Sequence, residues 1–253
     1  MSTIELSNVS RWYGNVVAVN DITMDIGPGV TGLLGPNGAG KSTILHMMAG
    51  FLEPSKGTLT VDGATTWKNP EIYRKLGLVP ERDSVYAFLT GDQFVTATAK
   101  LHKLPDPQGA ARRAIGITEM SAAQDRKIST YSKGMRQRII LIAALMDNPD
   151  VLILDEPLSG LDVTSALIIK NLIQALSARG KTIFYCSHIL EVVEKVCSHL
   201  IILRKGQVIA QGPTTEVCEQ IGNSSLEGVF LQLVEERDVS QVANEIVDVV
   251  VSA

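Results

Sequence analysis

A glycine-rich loop from Gly35 to Ser42, GPNGAGKS, has residue types and spacing suited to binding phosphate. It matches the pattern G-x-x-x-x-G-K-[ST], in which glycines let backbone N–H groups turn inward and form a concave anion site. Lys41 can then reach the β- and γ-phosphates of a nucleotide, and the Ser42 hydroxyl can bind Mg²⁺. The loop therefore predicts a nucleotide-phosphate site, with an ordinary glycine turn before a helix as the alternative.

Two acidic residues, Asp155 and Glu156, follow the aliphatic run Val151 to Leu154. This is the Walker B arrangement, in which Asp155 holds Mg²⁺ through its water shell. Glu156 is then placed to orient or deprotonate an attacking water. Alternatively, the two acids cap the helix that follows, although Ser159 or Asp162 could do that instead. With the phosphate loop upstream, the pair predicts a hydrolytic site.

Alternating strand and helix patterns must position these residues. A strand pattern, Val30 to Leu34, precedes the phosphate loop, and a helix pattern, Ser42 to Ala49, follows it. That helix would direct its positive N-terminal end at the phosphates. The run Val151 to Leu154 is continuously apolar, as expected for a strand buried on both faces. A helix over about 163–177 and a strand over 181–186 follow, and together these segments predict a parallel α/β core.

The rest of the chain adds strands near the N-terminus and helices in the middle. Alternating apolar residues between Ile22 and Ile26 are typical of the half-buried strands that we expect before residue 81. Between 82 and 148 the patterns are helical: a first helix over about 94–101 ends at the break Pro105 to Gly109, and a second runs from near Ser132 to Met146. A hairpin around Lys205-Gly206 and short helices follow the core.

Composition narrows the class of protein. The 253 residues carry a net charge of −4 without a basic block, which disfavours nucleic acid as the main partner. Three cysteines, Cys186, Cys197 and Cys218, lack C-x-x-C spacing, so we expect no disulfide framework or zinc site, and a reducing cytoplasm fits best. The N-terminus shows no signal-peptide pattern, and the most apolar run, Ile139 to Met146, is shorter than the ~20 residues that span a bilayer. We therefore expect a chain that does not itself cross a membrane.

In their order along the chain, these motifs resemble the ATP-binding subunit of ABC transporters, over residues 3 to 235. The resemblance implies ATP and Mg²⁺ as cofactors and places the nucleotide on Asn37, Gly38, Ala39, Gly40, Lys41, Ser42 and Thr43. Tyr13 stands where the family has the A-loop aromatic that stacks on adenine, with neighbouring Trp12 as the rival. His188, after Ser187, matches the H-loop histidine that contacts the γ-phosphate. It would act with Glu156 and Lys41 as the catalytic residues.

A second group of motifs implies contacts to a neighbouring subunit. Tyr131 to Met135, YSKGM, takes the place of the family's L-S-G-G-Q signature, and Ser132 lies 23 residues before Asp155, as the family predicts. Ser132 and Gly134 would contact ATP bound to the opposite subunit, where a helix N-terminus supplies positive potential. An ordinary N-cap at Ser132 is the alternative. Asp162 matches the D-loop that crosses between subunits.

The sequence departs from the family pattern at the Q-loop and in the signature. Glu81 replaces the Q-loop glutamine. Because carboxylate and amide oxygens are both hard ligands, Glu81 could still join Ser42 and Asp155 at Mg²⁺; a surface acid is the alternative. In the signature, Tyr131 replaces leucine, Met135 replaces glutamine and Lys133 replaces the first glycine. Lys133 would add a cation beside the nucleotide of the opposite subunit or point to water.

The resemblance also implies the fold and its divisions. We expect an α/β fold, with a P-loop NTPase core whose mostly parallel sheet is flanked by helices, an N-terminal antiparallel β subdomain and an inserted α-helical subdomain. The cassette would span 1–235, with the core and β subdomain in 1–81 and 149–222 and the helical subdomain in 82–148. Residues 223–253 would form a C-terminal helical extension, in which Ser225 to Leu233 resembles the C-terminal helix of the exporter subgroup.

The implied function is ATP-driven transport, with export favoured over import, through separate transmembrane permease subunits. ATP would close a dimer with an identical or a related cassette, so a monomer should bind ATP but hydrolyse it poorly. The chain would be cytoplasmic, peripheral on the inner face of the cell membrane, and would touch the membrane only through the permease. The alternative is a soluble ABC ATPase acting on ribosomes or DNA, which the single cassette without a heptad run or basic arm disfavours. Glu156 and His188 argue against a regulator without turnover.

Overall fold

The computed structural model describes residues 2–81, 85–220 and 226–228. The strands are β1 (Ile4–Tyr13), β2 (Val16–Ile26), β3 (Gly29–Leu34), β4 (Lys56–Val61), β5 (Ala64–Thr65), β6 (Leu76–Val79), β7 (Val151–Asp155), β8 (Thr182–Cys186), β9 (His199–Arg204) and β10 (Gln207–Pro213). The helices are α1 (Lys41–Met48), α2 (Pro70–Tyr73), α3 (Gly91–Leu101), α4 (Pro107–Ile117), α5 (Lys133–Leu145), α6 (Val163–Ala178), α7 (Leu190–Val196) and α8 (Thr214–Gln220). Most of the predicted C-terminal extension lies outside the described residues.

The strands form two sheets. An antiparallel sheet has the order β2-β1-β4-β5, and a six-stranded sheet has the order β10-β9-β3-β8-β7-β6. In the second sheet every neighbouring pair is parallel except the edge hairpin of β9 and β10. Ligands of open α/β sheets bind at the carboxyl ends of the parallel strands. The order places the ends of β3, β8 and β7 side by side at that edge.

Three hydrophobic clusters hold these layers together. One lies around α1, between the two sheets, and includes the buried residues Ile4, Ile44 and Phe184. A second lies between the other face of the six-stranded sheet and α5, α6 and α7. The third joins α3, α4 and α5 around Val95 and Ile115, which are fully buried. The inserted helices thus have an apolar centre of their own, and the phosphate-loop helix is packed on both sheets.

The structure confirms the predicted fold class and corrects one local prediction. The predicted strands at 30–34 and 151–154, the helices at 94–101 and 163–177 and the hairpin at Lys205-Gly206 are present. The first helix ends before the predicted break, as expected, but the break is shorter than Pro105 to Gly109, because α4 begins at Pro107. The Asp106 carboxylate accepts a hydrogen bond from the Gly109 N–H at 3.0 Å and caps that helix, and proline suits a first helical turn.

The sequence did not predict β6, α2 or α7, each of which has seven residues or fewer. Within the described residues, no helix combines the length and apolar character needed to cross a membrane.

Candidate nucleotide site

A cleft of about 580 Å³ opens at the carboxyl ends of β3, β7 and β8. The predicted site residues that line it are Asn37, Gly38, Gly40, Lys41, Ser42, Thr43, Glu81, Asp155, Glu156 and His188. The first six come from the phosphate loop and the start of α1, and the others follow β6, β7 and β8. The fold therefore brings together residues that lie more than a hundred positions apart in the chain.

The phosphate loop has the backbone geometry of an anion site. Gly38 and Gly40 have φ angles of +80° and +107°, in the left-handed region that favours glycine. A Cβ atom on Gly40 would lie 2.5 Å from the Ala18 carbonyl oxygen, so β2 also requires glycine there. Gly40 is the N-cap of α1 and offers no capping side chain, which leaves the first N–H groups of the helix for a ligand.

Lys41 lies over the same loop. Its Nζ donates hydrogen bonds to the carbonyl oxygens of Gly35 at 2.6 Å and Pro36 at 3.0 Å. The ammonium group is thus held at the mouth of the loop, where phosphate oxygens can replace these acceptors. This arrangement fits a nucleotide phosphate chain.

Asp155, at the end of β7, has a carboxyl group whose ionised form is disfavoured by its surroundings. Burial raises the pKa of its carboxyl; a hydrogen bond from Cys186 opposes the shift, and the negative charges of Glu81 and Glu156 add to it. A bound cation would relieve both the desolvation and the repulsion. These carboxylates line the same cleft as Ser42, and this set of oxygen groups fits Mg²⁺, which prefers oxygen ligands.

Glu156 is held in one orientation by the end of β8. Its side chain is only 8% exposed, and its Oε1 lies 2.8 Å from Nδ1 of His188. The Ser187 hydroxyl donates a hydrogen bond to Oε2 at 3.1 Å. Glu156 has a φ angle of +49°, an unfavourable conformation for a residue with a side chain, and its N–H is bonded to the Cys186 carbonyl at 2.9 Å. A strained, doubly supported carboxylate suits an acid–base role.

The structure also decides the capping alternative for these acids. The N-cap of α6 is Asp162, whose Oδ1 accepts a hydrogen bond from the Ser165 N–H at 2.9 Å. Neither Asp155 nor Glu156 caps this helix. The alternative that both acids serve only as helix caps is therefore wrong, and both carboxylates line the cleft.

Two cleft residues were missed by sequence reasoning, and two residues predicted to bind the chain's own nucleotide do not line the cleft. Ala18 and Cys186 line it because β2 crosses the phosphate loop and β8 ends beside Asp155; the strand pattern before Ser187-His188 could have indicated Cys186. Ala39 is buried in the core, so only its backbone is available to a nucleotide. Tyr13, at the end of β1, is 46% exposed and outside the cleft lining, and Trp12 is exposed to a similar degree.

The signature and D-loop residues form a separate cluster. Ser132, Gly134 and Asp162 do not line the cleft of their own chain. A Cβ atom on Gly134 would lie 2.7 Å from Ser165 Oγ and 3.3 Å from Asp162 Oδ2, so the two motifs touch each other. The Ser132 hydroxyl accepts a hydrogen bond from the Met135 N–H at 3.2 Å, which is the predicted N-cap, and its own proton stays available for donation.

Two of the departures from the signature, Tyr131 and Lys133, have structural explanations. Tyr131 is buried, and its hydroxyl donates to the Ala123 carbonyl at 2.7 Å within the helical cluster. Lys133 is exposed and lies along Gly160, where a Cβ atom would approach its Nζ to 2.7 Å. The lysine therefore contacts the D-loop of its own chain as well as solvent.

Comparisons with known proteins agree with this geometry. The sequence pattern of the family described as "ABC transporter" matches residues 19–159. The ABC transporter ATP-binding protein NatA of Bacillus subtilis is 35% identical over 240 residues, which cover 90% of this chain and 96% of NatA. The Nod factor export ATP-binding protein I of Rhizobium leguminosarum is 36% identical, covering 87% of this chain and 72% of the relative. A solved ATP-binding subunit of an ABC transporter superposes with a TM-score of 0.84 at 27% identity, covering 91% of this chain and 98% of that one.

The chain therefore belongs to the ABC transporter family. It is the ATP-binding subunit of such a transporter, and its activity is ATP hydrolysis. The alternative of a soluble ATPase acting on ribosomes or DNA finds no support among these relatives.

Proposed function

We propose that this subunit hydrolyses Mg²⁺-bound ATP in the cleft, with Glu156 as general base. The observation that carries this assignment is the double support of the Glu156 carboxylate by Ser187 and His188. A base held in this way can accept the proton of a water directed at the γ-phosphate. Lys41 and the free N–H groups of α1 stabilise the charge on the phosphates, and His188 contacts the γ-phosphate while it holds Glu156.

Ser42, Asp155 and Glu81 would hold the Mg²⁺ ion. Among the described residues, no group of three or more His, Cys, Asp and Glu side chains could hold a metal by itself. The ion therefore needs phosphate oxygens as further ligands, as is usual for Mg²⁺ in nucleotide sites. When bound, it supplies the positive charge that offsets the phosphate charge. Metal and nucleotide should accordingly bind together.

A second cassette, identical or related, would complete the site. Ser132 and Asp162 lie beside Gly134 in a cluster outside the cleft of their own chain. Each cluster would face the ATP held by the partner's phosphate loop, so two nucleotides would lie between two subunits. Binding then closes the dimer only to the extent that ATP has higher affinity for the closed state. Tyr13 would stack on the adenine from the β1 side.

A second groove, of about 530 Å³, supports coupling to a transmembrane permease. It lies between the core and the helical insert, and its apolar lining includes Phe51, Leu78, Pro80, Phe94 and Ile140. Phe51 is 65% exposed. Pro80 in this groove is followed directly by Glu81 in the nucleotide cleft, so one strand end contacts both sites. We assign the groove to a cytoplasmic helix of the permease, whose movement would then follow the occupancy of the cleft.

Export is the favoured direction of transport, and the named relatives support it. They include Nod factor export proteins and the linearmycin resistance ATP-binding protein LnrL of Bacillus subtilis, which is 35% identical over 230 residues. The chain would then lie on the cytoplasmic face of the cell membrane and contact the membrane only through the permease.

The decisive experiment on the base is Glu156→Gln, which keeps the size of the side chain and one acceptor oxygen but removes its basicity. We expect ATP hydrolysis to fall by about 10²- to 10⁴-fold. ATP affinity should stay within about twofold, and an ATP-dependent dimer should accumulate in light scattering because it no longer resolves. Normal turnover in this variant would refute the assignment of Glu156.

Two controls separate the parts of the proposal. Glu71→Gln, the same change at an 81% exposed glutamate of α2 outside the cleft lining, should leave hydrolysis nearly unchanged. Gentle detergent purification of the Glu156→Gln protein with ATP should recover a polytopic membrane protein. Recovery of the cassette alone would contradict the assignment of the apolar groove to a permease.

A further inference from the structure

Arg11 and Tyr13 form a stacked pair at the end of β1. The guanidinium carbon of Arg11 lies 5.1 Å from the centroid of the Tyr13 ring, within the range of a cation–π contact. The ring is 46% exposed, so one face is available to a ligand while the guanidinium covers the other. A residue that covers one face of an aromatic side chain limits its rotation.

Arg11 is itself fixed to the segment that follows the phosphate-loop helix. Its Nη1 donates a hydrogen bond to the Glu53 carbonyl oxygen at 3.0 Å. Its Nε is buried and has no hydrogen-bond partner within the described residues, which shows how closely the stem is packed. An arginine both packed and bonded at its tip has little rotamer freedom left to lose on ligand binding.

This segment, residues 53–55, is hydrogen-bonded to β1 at two further points. The Ser55 hydroxyl accepts a hydrogen bond from the Trp12 N–H at 3.2 Å, and the Ser55 N–H donates to the Ser10 carbonyl at 2.8 Å. Residues 53–55 follow α1, whose first turn borders the cleft. The chain therefore leads from α1 to residues 53–55, hydrogen bonds join these residues to β1 and to Arg11, and Arg11 stacks on Tyr13.

We propose that Arg11 is a positioning residue for adenine recognition: it holds the Tyr13 ring at a set place relative to the phosphate loop. This inference rests on the proposed stacking of Tyr13 on adenine. Preorganisation of the ring lowers the entropic cost of binding the base, and the cation draws electron density from the ring, which favours stacking on an electron-rich purine. Arg11 does not touch the nucleotide and acts through Tyr13.

The test compares a ligand that has adenine with one that lacks it. ADP and pyrophosphate are titrated calorimetrically into wild type, Arg11→Met, Tyr13→Ala and the double variant. We expect Arg11→Met to weaken ADP binding by about 3- to 10-fold, the size of a partly desolvated cation–π contact. Pyrophosphate affinity should not change. In the Tyr13→Ala background, Arg11→Met should have no further effect on ADP affinity, because the residue through which it acts is gone.

Arg74→Met is the matched control, because Arg74 is an exposed arginine at the C-terminal end of α2, and its ion pair with Glu71 is 3.9 Å long. It should leave both affinities unchanged. Arg11→Lys, which keeps the charge but loses the planar fork, should give an intermediate ADP affinity and serves if the methionine variant does not fold.

Three results would overturn the inference, and they are distinguishable. If Tyr13→Ala weakens ADP binding but Arg11→Met and Arg11→Lys do not, Tyr13 stacks on adenine without help from Arg11. If Arg11→Met weakens ADP and pyrophosphate equally, the arginine supports the phosphate loop in general. If Tyr13→Ala has no effect, the proposed adenine contact itself is wrong, and the role of Arg11 fails with it.

Discussion

At the scale of single residues, the two carboxylates that we propose for catalysis and metal binding, Glu156 and Asp155, are held in different ways. Glu156 is nearly buried, yet Ser187 and His188 provide hydrogen-bond partners for both of its oxygens. Asp155 has less compensation, because its nearest charged neighbours include Glu81 and Glu156 and its pKa is raised, first of all by burial. Asp155, the proposed metal ligand, is therefore a source of instability in the nucleotide-free protein, which is a common cost of functional sites.

This difference predicts the effect of Asp155→Asn. Because the folded-state pKa of Asp155 lies above its ordinary value of 3.8, the ionised form is disfavoured by folding. The penalty is present above the folded-state pKa and disappears as the pH falls to the ordinary value. Without metal and nucleotide, Asp155→Asn should therefore raise Tm at pH 7.5, and the gain should shrink towards pH 4. With nucleotide, its Mg²⁺ affinity should fall by about 10- to 100-fold.

Thermal unfolding across pH checks the first part of this prediction, and Mg²⁺ titration of ATP hydrolysis checks the second. Asp150→Asn is the control, since it removes a carboxylate that has a favourable partner, Lys181 Nζ at 3.3 Å. That variant should not gain stability. A lower Tm for Asp155→Asn at pH 7.5 would contradict the reasoning from burial.

At the scale of elements, the helix N-termini differ in whether a side chain caps them. The start of α1 has no side-chain cap and is left for phosphate, whereas α5 and α6 are capped by Ser132 and Asp162. Because an N-cap needs only an acceptor oxygen, Ser132 can cap α5 and still donate its proton to a partner's nucleotide. The capping and binding alternatives for Ser132 are thus compatible.

Two substitutions of Ser132 separate these roles. Ser132→Ala removes the cap and should lower the free energy of unfolding by about 1 kcal/mol. Ser132→Asn retains a capping oxygen and should restore most of that stability. If Ser132 also binds the partner's nucleotide, the asparagine variant should still hydrolyse ATP more slowly than wild type, because its geometry at the phosphate differs. Urea unfolding and steady-state hydrolysis measure the two effects. Full activity of the stable asparagine variant would show that Ser132 acts only as the N-cap of α5.

At the scale of the whole molecule, the nucleotide cleft and the apolar groove share the segment after β6. Leu78 and Pro80 line the groove and Glu81 lines the cleft, so the two sites share one short backbone segment. The helical insert has its own apolar cluster and forms one wall of this groove. The groove therefore has the position required to pass movement between ATP and a permease.

The groove assignment predicts the effect of Phe51→Ser. Phe51 is exposed, and replacing it removes apolar surface that a permease helix would bury, so affinity for the permease should fall by about 10-fold or more. Hydrolysis by the isolated cassette should not change. Binding to inside-out membrane vesicles that contain the permease measures the loss. Ile117→Ser, at an 85% exposed position outside the groove lining, should bind the vesicles like wild type. Equal loss in both variants would contradict a specific docking groove.

The amino-acid sequence by itself determined the parts of this protein that depend on local patterns. The phosphate loop, the acids after β7 and the boundaries of α5 and α6 follow from glycine spacing, apolar runs and capping residues that lie within a few positions of one another. For the same reason, short elements such as β6 and α7 escaped prediction, since seven residues or fewer carry too little periodicity. The start of α4 was hidden by prolines that suit both a turn and a first helical turn.

Only the tertiary structure decided which distant residues meet. The order β3-β8-β7 places Ser187 and His188 beside Glu156, and the crossing of β2 over the phosphate loop requires glycine at position 40. It also separates Ser132 and Gly134 from the cleft of their own chain and bonds Arg11 to the Glu53 carbonyl oxygen. These contacts join segments that are far apart in the chain. Which segments meet depends on strand order and packing, and no local pattern of residue types encodes that order.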